Sequence, residues 1–409
     1  MHSFEPTLHA AHARLAAVHP DNYARTRNSL EGAVTRLSPY LTHGFLSLAE
    51  VFAAVKARHP LDNKHKFVFE LGWRAYYRHV WEHLGDSIHM SLHTGLLPDD
   101  AYSRDFPADV AEARTGLPVI DLAVRTLYQT GYLHNHARMW LASYLVHLRK
   151  VHWYNGAQWM LGHLLDGDLA SNHLSWQWVA GTGSSKPYLF NAENVAKYAP
   201  ADWHSSGTVL DTSYEALDHI ARSARSVAMA RGASREAIGM DEPVRLTNPP
   251  PNSGWSPPDN AMVSGRDVWL QHPWSLGVAP HQLPADALRI GVGFDVSHAA
   301  SPWSERRWDF VTRGLQTQTK ALWWGNVEHV ALALQTAKSV HWQSEPHADP
   351  ALESLRANLC NSMSNPPVSH QQPGLFDPVH GYCRSFSEWW KRTRISHTRG
   401  ANGSESAAS

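Results

Sequence analysis

The sequence predicts a mainly α protein: a long helical domain followed by a small α/β unit with a parallel sheet. Three observations carry that prediction. Apolar residues recur at spacings of three and four through residues 1–235, punctuated by Gly, Ser, Asp and Pro. Residues 241–260, DEPVRLTNPPPNSGWSPPDN, are rich in Pro, Asn and Ser and read as a linker. Beyond them, strand-like and helix-like segments alternate. The expected division is a helical domain over 1–240, a linker over 241–261, an α/β unit over 262–395 and a disordered tail over 396–409.

In chain order, Ser47 and Glu50 form a capping-box pattern ahead of the run VFAAVKARH. Further helices are expected near 64–83, 118–129, 132–150, 156–165 and 169–180. After the linker, ALRIGVGFDV (287–296) reads as a buried strand, SPWSERRWDFVTRGL (301–315) as a helix and ALWWG (321–325) as a strand. A helix at 327–337, the strand SVHWQ (339–343) and a helix near 350–360 complete the alternation. No internal repeat is present.

Composition narrows the function classes. Thirty-six basic against 37 acidic side chains leave almost no net charge, so binding to nucleic acid requires a local patch. Cys360 and Cys383 are too few for a disulfide framework or for the four thiolates of an iron–sulfur cluster. So few cysteines fit a reducing cytosol, and a cytoplasmic location is expected. No run of about 18 apolar residues predicts a membrane span, and Met1–Ala17 lacks the apolar stretch of a signal peptide. The 28 histidines are scattered without HExxH or tight ligand spacing, so no metal site is expected. Most of the 18 tryptophans read as core and interface filling.

Four segments carry chemistry. In TRLSPYLTHGFLS (35–47), Ser38 as N-cap and Pro39 at the first helical position start a helix. With Thr35 and Arg36 beside it, that terminus suits a pyrophosphate as well as it suits an ordinary capped helix. In FVFELGWRAYYRHVWEHL (67–84), Glu70, Trp73, Arg74 and Tyr77 share one helix face. Such a face is either a solvated stripe with a local Glu–Arg pair or a site that pairs its charges with something else. In GYLHNHARMWLASYLVHL (131–148), Asn135, Arg138 and Met139 share a face. In LLDGDLASNHLSWQWVAGTG (164–183), Asp166 and Asp168 flank Gly167. Asp168 caps a helix on which Asn172 and Trp176 align with it. Two carboxylates this close require counter-charges, and Arg74 and Arg138 are the candidates; a metal bound by DxD is the alternative.

Taken together and in this order, the four segments resemble the FAD-binding helical half of the photolyase/cryptochrome family, from about Tyr23 to Tyr198. The resemblance implies an all-helical pocket holding FAD folded into a U. It assigns Tyr23 and Val34, Thr35, Arg36, Leu37 and Ser38 to phosphate and ribose contacts, and Phe67 to an aromatic contact with the cofactor. Arg74, Arg138, Asp166, Gly167 and Asp168 match the surroundings of the flavin ring, and Asn172 the residue facing its N5. Glu70, Trp73, Tyr77, Asn135, Met139 and Trp178 match the lining of a cavity for a flipped cyclobutane pyrimidine dimer. Asn135 and Met139 stand where the related (6-4) enzymes carry histidines. Trp176 and Trp153 match the first two members of an electron-transfer chain. The third position falls in LLPDDAYSRDF, which has no Trp but holds Tyr102.

There are departures. Arg27 keeps a DNA-phosphate position, whereas His136 replaces an Arg at another. The segment GTGSSKPYLFNAENVAKY also differs from the usual pattern. The family's α/β antenna domain, which ordinarily precedes the helical half, is not found ahead of it, and a small α/β unit follows instead. The implied activity is light-driven, FAD-dependent splitting of cyclobutane dimers in DNA by a carbon–carbon lyase. Glu70, Asn172, Trp153 and Trp176 are its expected catalytic residues. The alternatives are a cryptochrome-type blue-light photoreceptor without repair activity and a non-catalytic binding protein on the same helical scaffold.

Overall fold

The computed structural model describes residues 4–226 and 239–396. The last part of the expected helical domain, 227–238, and the expected disordered stretch from 397 onwards lie outside the described residues. The first half is built from helices α1 (Leu8–Ala16), α2 (Pro20–Thr26), α3 (Ser38–Thr42), α4 (Leu48–Lys56), α5 (Lys66–Leu84) and α6 (Ala108–Ala111). It continues through α7 (Pro118–Thr130), α8 (Asn135–Ser143), α9 (Trp153–His163), α10 (Leu169–Ala180), α11 (Ala192–Tyr198) and α12 (Tyr214–Arg222). No strand forms among the described residues before 227; Ser103 and Val151 make a single isolated bridge.

Local chemistry explains the helix starts. Ser47 and Glu50 close the expected capping box at α4, each side chain accepting the other's backbone N–H. Asp168 accepts the Ser171 N–H at the head of α10. The expected helix over 132–150 is divided, because α8 passes into a turn of π-helix at Tyr144–Leu148. The helix expected from 156 starts at Trp153, where the His152 ring caps the Tyr154 N–H. One boundary is corrected. Leu37, not Ser38, occupies the cap of α3, and its N–H is taken by the Thr35 hydroxyl at 3.4 Å, so the Ser38 hydroxyl caps nothing.

After residue 240 the strands are β1 (Arg245–Leu246), β2 (Trp255–Ser256), β3 (Asp267–Gln271), β4 (Leu288–Phe294), β5 (Trp303–Ser304), β6 (Ala321–Gly325), β7 (Ser339–Gln343) and β8 (Val368–His370). Six of them form one all-parallel sheet in the order β2-β6-β4-β3-β7-β8. Helices α13 (Glu305–Gln316), α14 (Val327–Leu334) and α15 (Asp349–Cys360) lie between successive strands, and α16 (Phe386–Arg392) follows the sheet. From β3 the chain builds outward to β4 and β6, then returns to the other side of β3 for β7 and β8. The C-terminal ends of β3 and β7 therefore flank a topological switch point.

The sequence pattern yields β4, β6 and β7 but not β3, whose short run DVWLQ is buried along four of its five residues and shows no alternation. The segment 241–261 is more than a linker. β1 pairs antiparallel with β5, and β2 adds to the sheet beside β6. Its prolines all fall outside β1 and β2, where they cost no ladder hydrogen bond.

Two hydrophobic cores result. One lies within residues 110–217. The other joins the first ninety residues to the sheet unit, with Tyr40 and Phe45 packed on Phe310 of α13. Packing thus crosses residue 240, and residues of the sheet unit reach the site below. No helix among the described residues is long and apolar enough to cross a membrane.

Candidate functional site

Helices α5, α8 and α10 converge, α10 packing on both of the others. The charges that the sequence placed on them are paired across the helices. Arg138 donates from Nη2 to both carboxylate oxygens of Asp166, at 2.9 and 2.7 Å, and from Nε to the Leu133 carbonyl at 2.7 Å. Asp168 is 1% exposed and takes Arg78 at 2.7 Å and Arg74 at 3.3 Å on one oxygen, while its other oxygen caps Ser171 at 2.9 Å. Burial works to raise the Asp168 carboxyl, but Arg78 and Arg74 outweigh it and hold the group well below the usual carboxylate range. Arg74 also donates to the Thr42 hydroxyl, which donates in turn to the Asp166 carbonyl. Both aspartates are therefore Arg-paired, as expected. Among the described residues no group of three His, Cys, Asp or Glu could hold a metal ion.

Glu70 departs from the local Glu–Arg pair considered above. It pairs with Lys66 at 2.9 Å and Arg27 at 3.5 Å, leaving Arg74 to Asp168. Arg27 is thus both a basic surface group and the partner of Glu70. Tyr23 meets Phe67 edge to face at 5.6 Å, and burial followed by the Glu70 charge pushes its phenol upward. In the segment before α3, Val34 precedes Thr35, and Arg36 adopts φ 52°, the left-handed region. Leu37 is buried and Ser38 half-buried. On α10, the Asn172 amide is buried and donates to the Ala157 carbonyl at 2.8 Å, whereas the Ser171 hydroxyl is buried without a partner.

The expected dimer-cavity residues are less alike. Asn135 is exposed, with its amide 3.4 Å from the Met139 sulfur. Trp178 is exposed on α10 and tilted against Tyr188. Tyr77 is pushed up to about 12 by burial, although a Ser175 hydrogen bond counteracts it. His136 packs on Tyr198 and Trp140, and burial, then Arg27, pushes it down to about 4, so it is neutral at pH 7. Trp73 is stacked on Phe386 of α16 at 4.1 Å and 12° from parallel, so one face of the indole is already covered. Trp176 and Trp153 are both buried. The Trp153 indole donates to Ser91, and the Trp153 ring lies 5.8 Å from His152, which lies 6.3 Å from Tyr102.

Several functional groups escape a reading of the sequence. Arg78, on sequence a candidate for a DNA-binding cluster with Arg27 and Trp73, is instead half-buried between Asp168 and Glu345. Glu345 and His347 follow β7, and Arg307 lies in α13. Their signals sit in segments assigned to a separate unit, and only the shared core brings them to the Asp166–Asp168 loop.

Residues 67–207 match the family described as the FAD binding domain of DNA photolyase. A deoxyribodipyrimidine photo-lyase of Synechococcus is 35% identical over 179 residues, covering 41% of this chain and 37% of that protein. A cryptochrome DASH of Gloeobacter violaceus is 32% identical over 171 residues, covering 40% of this chain and 34% of that one. Among solved structures, a Synechocystis cryptochrome is 29% identical, with a TM-score of 0.44 over 48% of this chain and 44% of that chain. The chain spans little more than a third of the length of the curated relatives it matches.

Proposed function

Residues 67–207 belong to the photolyase family of FAD-binding domains, and from that premise we propose that the chain is a light-driven, FAD-dependent lyase that splits cyclobutane pyrimidine dimers in DNA. The observation that carries this reading is the Arg138–Asp166 pair, in which one guanidinium nitrogen bonds both carboxylate oxygens, set beside the doubly paired Asp168, with the buried Asn172 one turn further along α10. The donor set fits FAD. If FAD is bound, Arg74, Arg138 and the unpartnered Ser171 hydroxyl would hold the polar ring, and the Thr35 and Ser38 hydroxyls with Arg36 would hold the pyrophosphate. When bound and reduced, FAD supplies the light absorption and the electron.

The protein's part is positional and electrostatic. Arg138 and Arg74 are held in place by Asp166 and Asp168, so their positive charge needs no reorganisation when negative charge develops nearby. Asn172 is fixed by the Ala157 carbonyl and presents an oriented amide. Glu70, paired with Lys66 and Arg27, is an acceptor for a base edge, with Trp73, Asn135, Met139 and Trp178 as the apolar and polar lining. A base taken out of the stack costs a few kcal/mol, least where damage has already weakened stacking. On this reading Trp176 and Trp153 serve electron supply, with His152 and then Tyr102 in ring contact beyond Trp153.

The test is direct. Chain reconstituted with FAD, reduced and illuminated with an oligonucleotide carrying one thymine dimer, should restore two thymines per dimer, and none in the dark. No restoration under light removes the repair reading. A second reading, a blue-light photoreceptor, is favoured by one observation: Phe386 covers one face of Trp73 and leaves only the other for a base to stack on.

A further inference from the structure

The loop carrying Asp166 and Asp168 is held from outside the helical half. Arg307, 1% exposed, donates from Nη1 to the Leu161 carbonyl at 3.0 Å and from Nη2 to the Gly167 carbonyl at 2.7 Å. Its guanidinium lies 4.0 Å from the centre of the Trp303 ring. Gly167 makes this approach possible: a Cβ there would stand 2.3 Å from Arg307 Nη1. From the loop after β7, Glu345 pairs with Arg78 at 2.5 Å and accepts from His347 Nδ1 at 2.6 Å. His347 Nε2 accepts the Leu169 N–H at 3.1 Å. These partners fix the neutral Nδ1–H tautomer of His347, in keeping with burial pushing its pKa down. Glu345 and His347 lie at the switch point of the sheet, where open α/β sheets ordinarily place ligand-binding loops. Here those loops are turned onto the Asp166–Asp168 loop.

Charge makes the arrangement more than packing. Arg307 has no carboxylate within 4.0 Å among the described residues, and a buried, unpaired guanidinium is costly. Burial pushes it down to about 9, with Asp166 and Asp168 offsetting part of that shift, so it is cationic at pH 7. The groups bonded to the loop or to one another there are four guanidinium groups (Arg74, Arg78, Arg138 and Arg307) and three carboxylates (Asp166, Asp168 and Glu345), one surplus positive charge within that bonded set.

We propose that the α/β unit is the electrostatic second half of the flavin site: Arg307, Glu345 and His347 are positioning residues that hold the Asp166–Gly167–Asp168 loop and set the charge around a ring seated there. The inference rests on the reading that FAD binds at this loop. Because the surplus is positive, the site favours the more negative redox state of its ligand. Removing Glu345's charge strengthens that preference, and removing Arg307's charge weakens it.

The experiment titrates full-length apo-protein with FAD and measures the flavin midpoint potential by spectroelectrochemistry. Wild type is compared with Glu345→Gln, Arg307→Met and Arg307→Lys. E345Q should raise the potential and R307M should lower it, each by about a tenfold change in the redox equilibrium, about 30 mV for two electrons. R307K keeps the charge but loses the fork onto two carbonyls. It should return the potential towards wild type while FAD affinity stays several-fold weaker. A purely structural role would weaken affinity without moving the potential in opposite directions. Potentials that do not move, or that move the same way in E345Q and R307M, overturn the inference while leaving flavin binding intact. If R307M does not fold, the sign of the E345Q shift decides alone. Wild type that takes up no FAD overturns the flavin assignment itself, and this inference with it.

Discussion

Phe386 lies flat on Trp73, ring centroids 4.1 Å apart and 12° from parallel, so that the C-terminal helix covers one face of the indole on α5. Phe69 and Trp390 extend the same contact, and Gly72 admits the Trp390 ring where a Cβ would stand 2.3 Å from it. The His79 ring accepts the Cys383 N–H at 3.1 Å and secures the turn before α16. Phe386→Ala should therefore cost about 3–5 kcal/mol, the usual range for removing a buried phenylalanine. Urea unfolding followed by tryptophan fluorescence measures it. A loss under 1 kcal/mol would mean that α16 is loosely held.

The same contact bears on DNA. On the repair reading, Trp73→Ala should remove a stacking surface worth about 1–3 kcal/mol per base. Binding to undamaged DNA should hardly change, because phosphate contacts carry that affinity. Paired titrations of damaged and undamaged strands at one salt concentration test this. A wild type without preference for damage favours the photoreceptor reading. A variant that keeps the full preference shows that Phe386 has left no working face on Trp73.

Asp168→Ala should be among the most damaging changes in the helical half. It leaves Arg74 with only the Thr42 hydroxyl, takes one of the two carboxylates of Arg78 and removes the cap of α10. Breaking a buried pair of this kind costs about 3–5 kcal/mol. FAD should also be lost on dialysis, as read from the flavin absorbance of the dialysed protein. Full retention of flavin would show that the ring is seated elsewhere.

The Glu345–Arg78 pair gives stability a pH dependence of definite sign. Burial works to raise the Glu345 carboxyl, but Arg78 and then His347 hold it down at about 2, below its ordinary 4.5. A carboxyl depressed on folding stabilises above its unfolded pKa and loses that contribution as pH falls through the folded one. The stability difference between wild type and Glu345→Gln, on the order of 1–3 kcal/mol at pH 7, should narrow as pH falls from 4.5 towards 2. Denaturant midpoints across that range measure it, and a constant difference would show that the charge of Glu345 contributes nothing.

How much of this was legible follows from the range of the interactions. The helices are legible in the residues alone, because their periodicity and caps, such as Ser47 with Glu50, are local. Equally legible is that Asp166 and Asp168 need cationic partners, since two adjacent carboxylates cannot be buried unpaired. Which cations answer them was decided only by tertiary structure. Arg74 and Arg138 could be named from their own helices. Arg78 is one turn further along α5, and Glu345, His347 and Arg307 are separated from the loop by well over a hundred residues of chain. Nothing in their local sequence marks them. They reach the loop because the sheet unit and the first ninety residues bury one hydrophobic core together, and that burial, indifferent to order along the chain, sets which charges meet.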